Sequence, residues 1–153
     1  MTMSLLYKSI IDTILKNIDI GIHVVDDKGV TILYNQAMAD MEGLDIKEVM
    51  GRNILEIFPS LTHETSTLLT VKNTRKPIYN RRQTYLNNKG KQINTVNSTI
   101  PVMISASKYG ALEIAKNVTK EKELSDKLVY LHHELASKDL DEENLKGYTF
   151  RSL

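Results

Sequence analysis

The sequence contains no cysteine in its 153 residues. Disulfide bonds, thiolate metal sites and cysteine nucleophiles are therefore excluded. Flavin adducts and thioester-linked chromophores are excluded for the same reason, because both are bonded to a cysteine sulfur. A chain without disulfides is compatible with the reducing cytoplasm, so we expect a cytoplasmic location.

Glycine and proline are also scarce, with seven and three residues respectively. Gly29, Gly43, Gly51 and Gly90 are isolated turn glycines, so no glycine loop is present to cradle a phosphate. We also find no nucleophile with its base and orienting group, and no metal-ligand spacing. The sequence therefore predicts a protein that is not an enzyme and has no metal site.

Long apolar runs and a charge surplus are lacking as well. The formal net charge is +1, and 41% of the residues are apolar. This balance is ordinary for a globular protein and gives no basic footprint for nucleic acid or membrane. The apolar runs are too short for a membrane-spanning helix, and the N-terminus lacks the apolar core of a signal peptide. The length fits one domain with a terminal helix to spare.

The first part of the chain predicts a helix followed by a β-hairpin. Apolar residues recur at helical spacing over 4–18. Two short β-rich runs, 20–25 and 30–34, are separated by Asp26-Asp27-Lys28-Gly29. Gly29 can supply the positive φ that such a turn often needs, so these runs predict a hairpin.

The middle of the chain predicts short helices and then further strands. From Asn35 to Lys76 the residues favour short helices interrupted by glycine and proline, of which 64–73 is the longest. Three β-rich runs follow, at 78–86, 92–104 and 110–118. Because the strands cluster in two groups instead of alternating with helices, we predict an α+β fold with an antiparallel sheet.

A second long helix is predicted after Thr119. Its leucines are spaced four, three and four residues apart, at Leu124, Leu128, Leu131 and Leu135. This spacing is an a/d seam about two heptads long, as in a parallel two-stranded coiled coil. Because so short a seam is marginal alone, we expect it to act beside a dimerising domain, in a homodimer.

His132 and His133 lie on this predicted helix and allow another interpretation. The letters HHEL resemble the phosphoacceptor box of sensor histidine kinases. That box usually has a proline a few residues later, whereas Ala136-Ser137-Lys138 follows here. We favour two solvated histidines on a coiled-coil face. The alternative is the sensor segment of a histidine kinase, with His133 as the phosphoacceptor.

Three stretches resemble PAS domains. IDIGIHVVDDKGVTILYNQAMADMEGL is similar to the PAS opening, in which an asparagine, here Asn35, ends the first hairpin and starts the first short helix. GRNILEIFPSL resembles the next segment, and GALEIAKNVTKEKEL resembles the closing strand with its exit into a signalling helix. The resemblance implies a five-stranded antiparallel sheet with short helices on one face and a small-molecule cavity between them.

Two further stretches, RRQTYLNNKGKQINTVNSTIPV and the terminal GYTFRSL, suggest a narrower likeness. They resemble the N-terminal sensory region of sigma-54-dependent transcriptional activators of the arginine-utilisation regulator type. This likeness implies an amino acid such as arginine, ornithine or citrulline as effector. It also implies that AAA+ ATPase and DNA-binding domains belong to a longer protein of which this chain is a fragment.

The expected organisation has four parts. They are an N-terminal amphipathic helix over 1–18, a PAS sensory domain over 19–119, a coiled-coil signalling helix over 120–146, and the start of a linker over 147–153.

A polar metabolite is the expected ligand, because hydrogen-bond donors cluster around the last three strands and guanidinium groups match carboxylates. The candidate ligand-binding residues are Asn35, Arg75, Tyr79, Arg81 and Ser98. Asn35 is also explained as a helix cap without a ligand.

Strand alternation predicts the direction of the side chains in the run 92–104. Ser98 shares its parity with Val96 and Ile100 and should face the core. Asn97 and Thr99 should face away from it, unless a bulge reverses the assignment.

No cofactor is expected. Haem would need an axial ligand, but His23 and His63 are isolated histidines, which are more often surface or hydrogen-bonded residues. Non-covalent flavin stays open, although two phenylalanines and no tryptophan offer few stacking partners. A third interpretation of the chain is a dimerisation module that binds no ligand.

Overall fold

The computed structural model describes residues 2–58 and 66–151, with residues 143–151 described through their backbone. Pro59, His63 and Glu64, where the helix predicted over 64–73 begins, lie outside the described residues, as do Ser152 and Leu153 of the predicted linker. The chain divides into two compact units at the boundary between Val118 and Thr119.

The first unit contains five helices and five strands within the described residues. They are α1 (Met3–Asn17), β1 (Gly21–Val25), β2 (Thr31–Tyr34), α2 (Gln36–Glu42), α3 (Ile46–Val49), α4 (Ile54–Ile57), α5 (Thr67–Thr74), β3 (Ile78–Leu86), β4 (Gln92–Ser105) and β5 (Lys108–Asn117). The second unit is α6 (Thr119–Arg151). No described helix is both long and apolar enough to cross a membrane.

The five strands form one antiparallel sheet in the order β2-β1-β5-β4-β3. Helix α2 packs against β1, and α5 packs against β4 and β5. The sheet therefore carries its short helices on one face, called the inner face below. The predicted α+β fold with a five-stranded antiparallel sheet is confirmed.

The core consists of two apolar clusters between the inner face and the short helices. One cluster contains Val25, Ile54, Leu68, Leu69, Val71 and Ala111. The other contains Tyr34, Met38, Ala39, Met41, Val49 and Ala115. Because β5 contributes Ala111 to the first and Ala115 to the second, the two clusters meet the same strand at points four residues apart.

Asn35 joins the hairpin to α2 and is 4% exposed. Its Oδ1 accepts hydrogen bonds from the backbone N–H of Met38 at 3.1 Å and of Ile22 at 2.8 Å. Its Nδ2 donates to the backbone carbonyl of Ile20 at 2.9 Å. This one side chain therefore caps α2 and also fixes the start of α2 to β1.

Gly110 lies in β5 beside the backbone at the end of β1. A Cβ atom built on Gly110 would overlap the backbone carbonyl of Val25. Because that obstacle is backbone, it cannot rotate away. The β1–β5 pairing, which places both clusters, therefore requires glycine here.

The side-chain directions predicted for β4 are wrong. Asn97 and Thr99 are buried, at 4% and 1% exposure, whereas Ser98 is half-buried on the opposite face. The register explains the reversal, because Asn97 pairs with Ala115, and Ala115 belongs to the inner-face core. Thr95, Asn97 and Thr99 thus lie on the inner face of β4, and Val96 and Ile100 lie on its outer face.

Replacement of Asn35 by alanine is expected to lower the free energy of unfolding by about 2–4 kcal/mol, because it removes the cap and leaves two backbone N–H groups unpaired. Urea unfolding followed by circular dichroism measures this loss. The control is Asn17→Ala, which removes an exposed bond to the Thr13 carbonyl and should change stability by less than about 0.5 kcal/mol. Equal losses in both variants would show that Asn35 does not anchor α2.

Candidate functional site

A cavity of about 610 Å³ lies between the inner face of the sheet and the short helices. This volume is in the range of small-molecule sites. The helices and their ends contribute mainly apolar side chains: Met38, Leu44, Ile54, Ile57, Phe58 and Leu68. The strands contribute polar ones: His23, Gln83, Tyr85, Thr95, Asn97 and Glu113. A molecule in the cavity would therefore meet an apolar wall and a polar floor.

Glu113 lies in β5 between the two apolar clusters. Alternation along the strand gives it the same face as Ala111 and Ala115, which are both buried. Its cross-strand partners are His23 on β1 and Thr99 on β4. A polar row therefore crosses the sheet between the clusters, and the carboxyl group of Glu113 stands in it.

Glu42 is the last residue of α2 and reaches the same cavity from the helix side. The Tyr34 hydroxyl donates a hydrogen bond of 2.5 Å to its Oε1. Gly43 ends the helix directly after it in the left-handed conformation, with φ of 70°. The cavity thus receives one carboxyl group from a strand and one from a helix end.

Both carboxyl groups hold their protons more tightly than an exposed glutamate does. Burial raises the pKa of Glu42 to about 8, helped by the charge of Glu113 and opposed by the hydrogen bond from Tyr34. Burial also raises the pKa of Glu113 to about 7. Both side chains are half-buried by accessible area, and the surface that they keep lines the cavity. A substantial fraction of each is therefore protonated at neutral pH.

Among the described residues, the cavity lining provides no basic group to balance these carboxylates, since none of them is a lysine or an arginine. Burial lowers the pKa of His23 to about 4, so its imidazole is neutral at pH 7. The His23 Nε2 lies 2.9 Å from the Thr31 hydroxyl, and its ring meets that of Tyr34 edge-on. When Glu42 and Glu113 ionise, the cavity is negative.

Two polar atoms at the cavity floor have no hydrogen-bond partner within the described structure. They are Thr95 Oγ1 and Asn97 Oδ1, both buried. The amide Nδ2 of Asn97 is engaged, because it donates to Gln83 Oε1 at 2.7 Å. An unsatisfied buried polar atom costs about 1–3 kcal/mol, so a molecule that donates hydrogen bonds to these atoms would gain affinity.

The five residues predicted from the sequence to bind ligand do not line the cavity: Asn35, Arg75, Tyr79, Arg81 and Ser98. Asn35 is engaged as the cap described above. Tyr79 is 61% exposed, and Arg81 is also exposed on β3. The Ser98 hydroxyl is on the outer face, where it accepts from the backbone N–H of Asn80 at 3.1 Å.

The side chain of Arg75 has a structural role, because it extends from the end of α5 to the turn between β4 and β5. Its Nη2 donates to the backbone carbonyl of Ser107 at 3.0 Å, and its guanidinium lies 4.3 Å from the ring centroid of Tyr109. Arg75 also ends α5 in the left-handed conformation, with φ of 59°. The guanidinium therefore clamps the end of α5 to this turn.

Neither carboxyl group of the cavity is among the residues predicted from the sequence to bind ligand. One signal was present for Glu113, which is the single charged residue in the stretch GALEIA, at the parity of two buried alanines. Glu42 gave none, because a glutamate before a glycine at a helix end is ordinary. Among the described residues, no group of three or more His, Cys, Asp or Glu could hold a metal ion.

Comparison with known families agrees with this architecture. A family model described as the PAS fold matches residues 9–110, which is more than half of the chain. The chain belongs to the PAS family. The PAS resemblance seen in the sequence is thereby confirmed.

The chain is also similar to individual proteins and solved structures. The chain is 40% identical over 118 residues to the transcriptional activator RocR of Bacillus subtilis. The aligned residues cover 77% of this chain and 25% of RocR. The PAS domain of Bordetella pertussis BvgS is 25% identical, with a TM-score of 0.60 and coverage of 84% and 98%. The Escherichia coli DhaR(N)–DhaL complex contains a similar fold, at 19% identity, TM-score 0.57 and coverage of 74% and 36%.

The buried carboxyl groups should make the domain less stable at alkaline pH. Their pKa values of about 8 and 7 exceed the ordinary 4.5, so the folded state binds protons more tightly than the unfolded state. Their stabilising contribution is fully present below pH 4.5 and is lost as pH rises through these values. His23, with a lowered pKa, acts in the opposite direction, but mainly below pH 6.5.

The melting temperature should therefore fall by about 4 °C or more between pH 6.5 and pH 8.5. Glu113→Gln resembles the protonated side chain and should weaken this fall while raising the melting temperature at pH 8.5. Glu48→Gln, at an exposed position on α3, is the control and should keep the wild-type slope. A wild-type slope in Glu113→Gln would show that Glu113 does not titrate in this range.

Proposed function

We propose that this chain is the ligand-sensing module of a transcriptional activator and performs no catalysis of its own. The observation that carries this proposal is the cavity, which receives two carboxyl groups and has two polar atoms in its floor without a hydrogen-bond partner in the described structure. A small polar molecule could bind to all four groups. The similarity to a transcriptional activator supports a regulatory role for such binding.

The effector that we propose is an amino acid of arginine catabolism, such as arginine, ornithine or citrulline. Its support is the likeness to arginine-utilisation regulators in the sequence. The signal would pass through α6 to an AAA+ ATPase domain of a longer protein, which would also carry the DNA-binding domain. A cytoplasmic location follows from this role, since such a protein acts on transcription.

We also propose that the chain works as a homodimer, with the four-part organisation expected from the sequence. Helix α1 buries none of its residues, and most of its apolar side chains are exposed, among them Tyr7, Ile10, Ile11 and Ile14. The four leucines of the α6 seam are 45–67% exposed. Apolar stripes on two helices support association with a second copy.

The kinase and ligand-free alternatives have less support. His132 and His133 are exposed on α6, as expected for solvated histidines, and the similarity is to a transcriptional activator. A module that only dimerises would not need a cavity with a polar floor. We therefore place ligand sensing first.

Ligand binding should depend on the cavity floor and not on the outer face. We expect arginine, ornithine or citrulline to raise the melting temperature of the wild type with concentration. Thr95→Val removes the unpartnered hydroxyl, so it should leave the unliganded stability unchanged or higher but weaken binding roughly 5- to 20-fold. Titration calorimetry checks both affinities.

Ser98→Ala is the matched control for this test, because it changes a hydroxyl on the same strand but on the outer face. It should keep the wild-type affinity. A loss of affinity in Ser98→Ala with none in Thr95→Val would place the ligand outside the cavity. No stabilisation by any of the three amino acids would remove the support for an effector of arginine catabolism.

The α6 seam should be needed for dimerisation. Leu128→Lys puts a charge into the a/d seam and should raise the dimer dissociation constant roughly 10- to 100-fold. Val129→Lys introduces the same charge at an adjacent exposed position off the seam and should have little effect. Light scattering across a concentration series measures the mass of both variants. Equal behaviour of the two would refute the seam as the interface.

A further inference from the structure

We propose that the cavity selects a cationic group, an ammonium or a guanidinium, and that Glu42 and Glu113 bind it together as ionised carboxylates. This inference rests on the proposed function, namely that a metabolite enters the cavity. It adds the charge of that metabolite and the two side chains that recognise it.

The first argument is convergence. Glu42 comes from the end of α2 and Glu113 from the middle of β5, yet both line one cavity. They are near enough for the charge of Glu113 to raise the pKa of Glu42 further. A cation with several N–H donors in this cavity would therefore face two carboxyl groups.

The second argument is that no described residue of the lining supplies a balancing positive charge. Burial of a carboxylate is unfavourable unless it is paired or protonated. Within the part of the chain that the structure describes, the other titratable groups that face this pair are His23 on β1, Tyr34 on β2 and Tyr85 on β3. All three are neutral near pH 7, because burial lowers the pKa of His23 and raises the pKa of both tyrosines. A bound cation is thus the charge that would replace the protons on the carboxyl groups.

The third argument is the supply of hydrogen-bond acceptors. In addition to the two carboxyl groups, the cavity has two buried acceptors, Asn97 Oδ1 and Thr95 Oγ1, without partners in the described structure. A guanidinium carries five N–H donors and an ammonium three, and neither has an acceptor. The lining therefore complements a donor-rich group better than a carboxylate or a phosphate.

The opposite end of such a ligand meets different chemistry. A carboxylate on the ligand would find a neutral donor in the lining, such as the amide of Gln83, but no cation among the described residues. The cavity should therefore bind agmatine, which is arginine without its carboxylate, at least as tightly as arginine. This expectation separates recognition of the cationic end from recognition of the amino-acid end.

The test is titration calorimetry of the 153-residue chain with arginine, citrulline and agmatine at pH 6.5 and pH 8. Arginine and citrulline form a matched pair, since citrulline replaces the guanidinium by a neutral ureido group of similar shape. We expect arginine and agmatine to bind at least tenfold more tightly than citrulline at pH 8. Their affinity should fall about tenfold at pH 6.5, where the carboxyl groups are more protonated.

Three variants complete the test. Glu113→Gln and Glu42→Gln should each weaken agmatine binding at least tenfold, and Glu113→Gln should bring arginine close to citrulline. Glu48→Gln removes an exposed negative charge and should keep the wild-type affinities. The melting temperature of each unliganded variant verifies that it is folded. Glu113→Gln is the variant with the lower risk of unfolding, because its neutral amide resembles the protonated carboxyl group.

The outcomes separate this inference from the proposed function. Equal affinity for arginine and citrulline, unchanged by Glu113→Gln, would overturn the cation site and leave metabolite sensing in place. Binding of Mg²⁺ or Ca²⁺ as tight as that of agmatine, measured by the same titration calorimetry, would overturn an organic cation as the ligand. Absence of binding by all three probes would overturn both the inference and the proposed effector class.

Discussion

The burial of two carboxyl groups beside one cavity is the constraint on which the rest of this structure depends. A carboxylate away from water must be protonated, hydrogen-bonded or paired with a cation. Glu42 and Glu113 meet this requirement in the unliganded protein by raised pKa values, and Glu42 also by the hydrogen bond from Tyr34. The apolar clusters on both sides of Glu113 offset the cost of this polar interior. The fold thus maintains a site that a cation would stabilise.

The two carboxyl groups meet because of long-range features of the fold. Glu113 is placed by the registers of β5 with β1 and β4, which pair it with His23 and Thr99. Glu42 is placed by the length and start of α2, and that start is fixed to β1 through the hydrogen bonds of Asn35. A change at Asn35 or in the register would therefore move the carboxyl groups relative to each other. The sheet geometry and the relative placement of the two carboxyl groups therefore depend on the same few contacts.

Most of the fold could be predicted from the sequence, but the site could not. Hydrophobic periodicity predicts the strands to within a few residues of their observed ends. The reason is that this pattern is local and does not depend on how the side chains pack. The same periodicity predicts the two faces of β4 in reverse. Apolar residues on its outer face are typical of a core, whereas the polar Asn97 and Thr99 on its inner face are typical of a surface. The two arginines predicted to bind ligand do not line the cavity: Arg81 is exposed on β3, and the Arg75 side chain contacts Ser107 and Tyr109. Glu113 becomes recognisable only when cross-strand register places it between two buried clusters.

The most direct test of this account is a titration of the glutamate carboxyl ¹³C signals by NMR in the unliganded chain, assigned through Glu42→Gln and Glu113→Gln. The account predicts midpoints near 8 for Glu42 and near 7 for Glu113, and midpoints below about 5 for both when agmatine is bound. Midpoints near the ordinary 4.5 for both groups in the unliganded chain would show that they are solvated or already paired. That result would contradict a cavity built around uncompensated carboxyl groups.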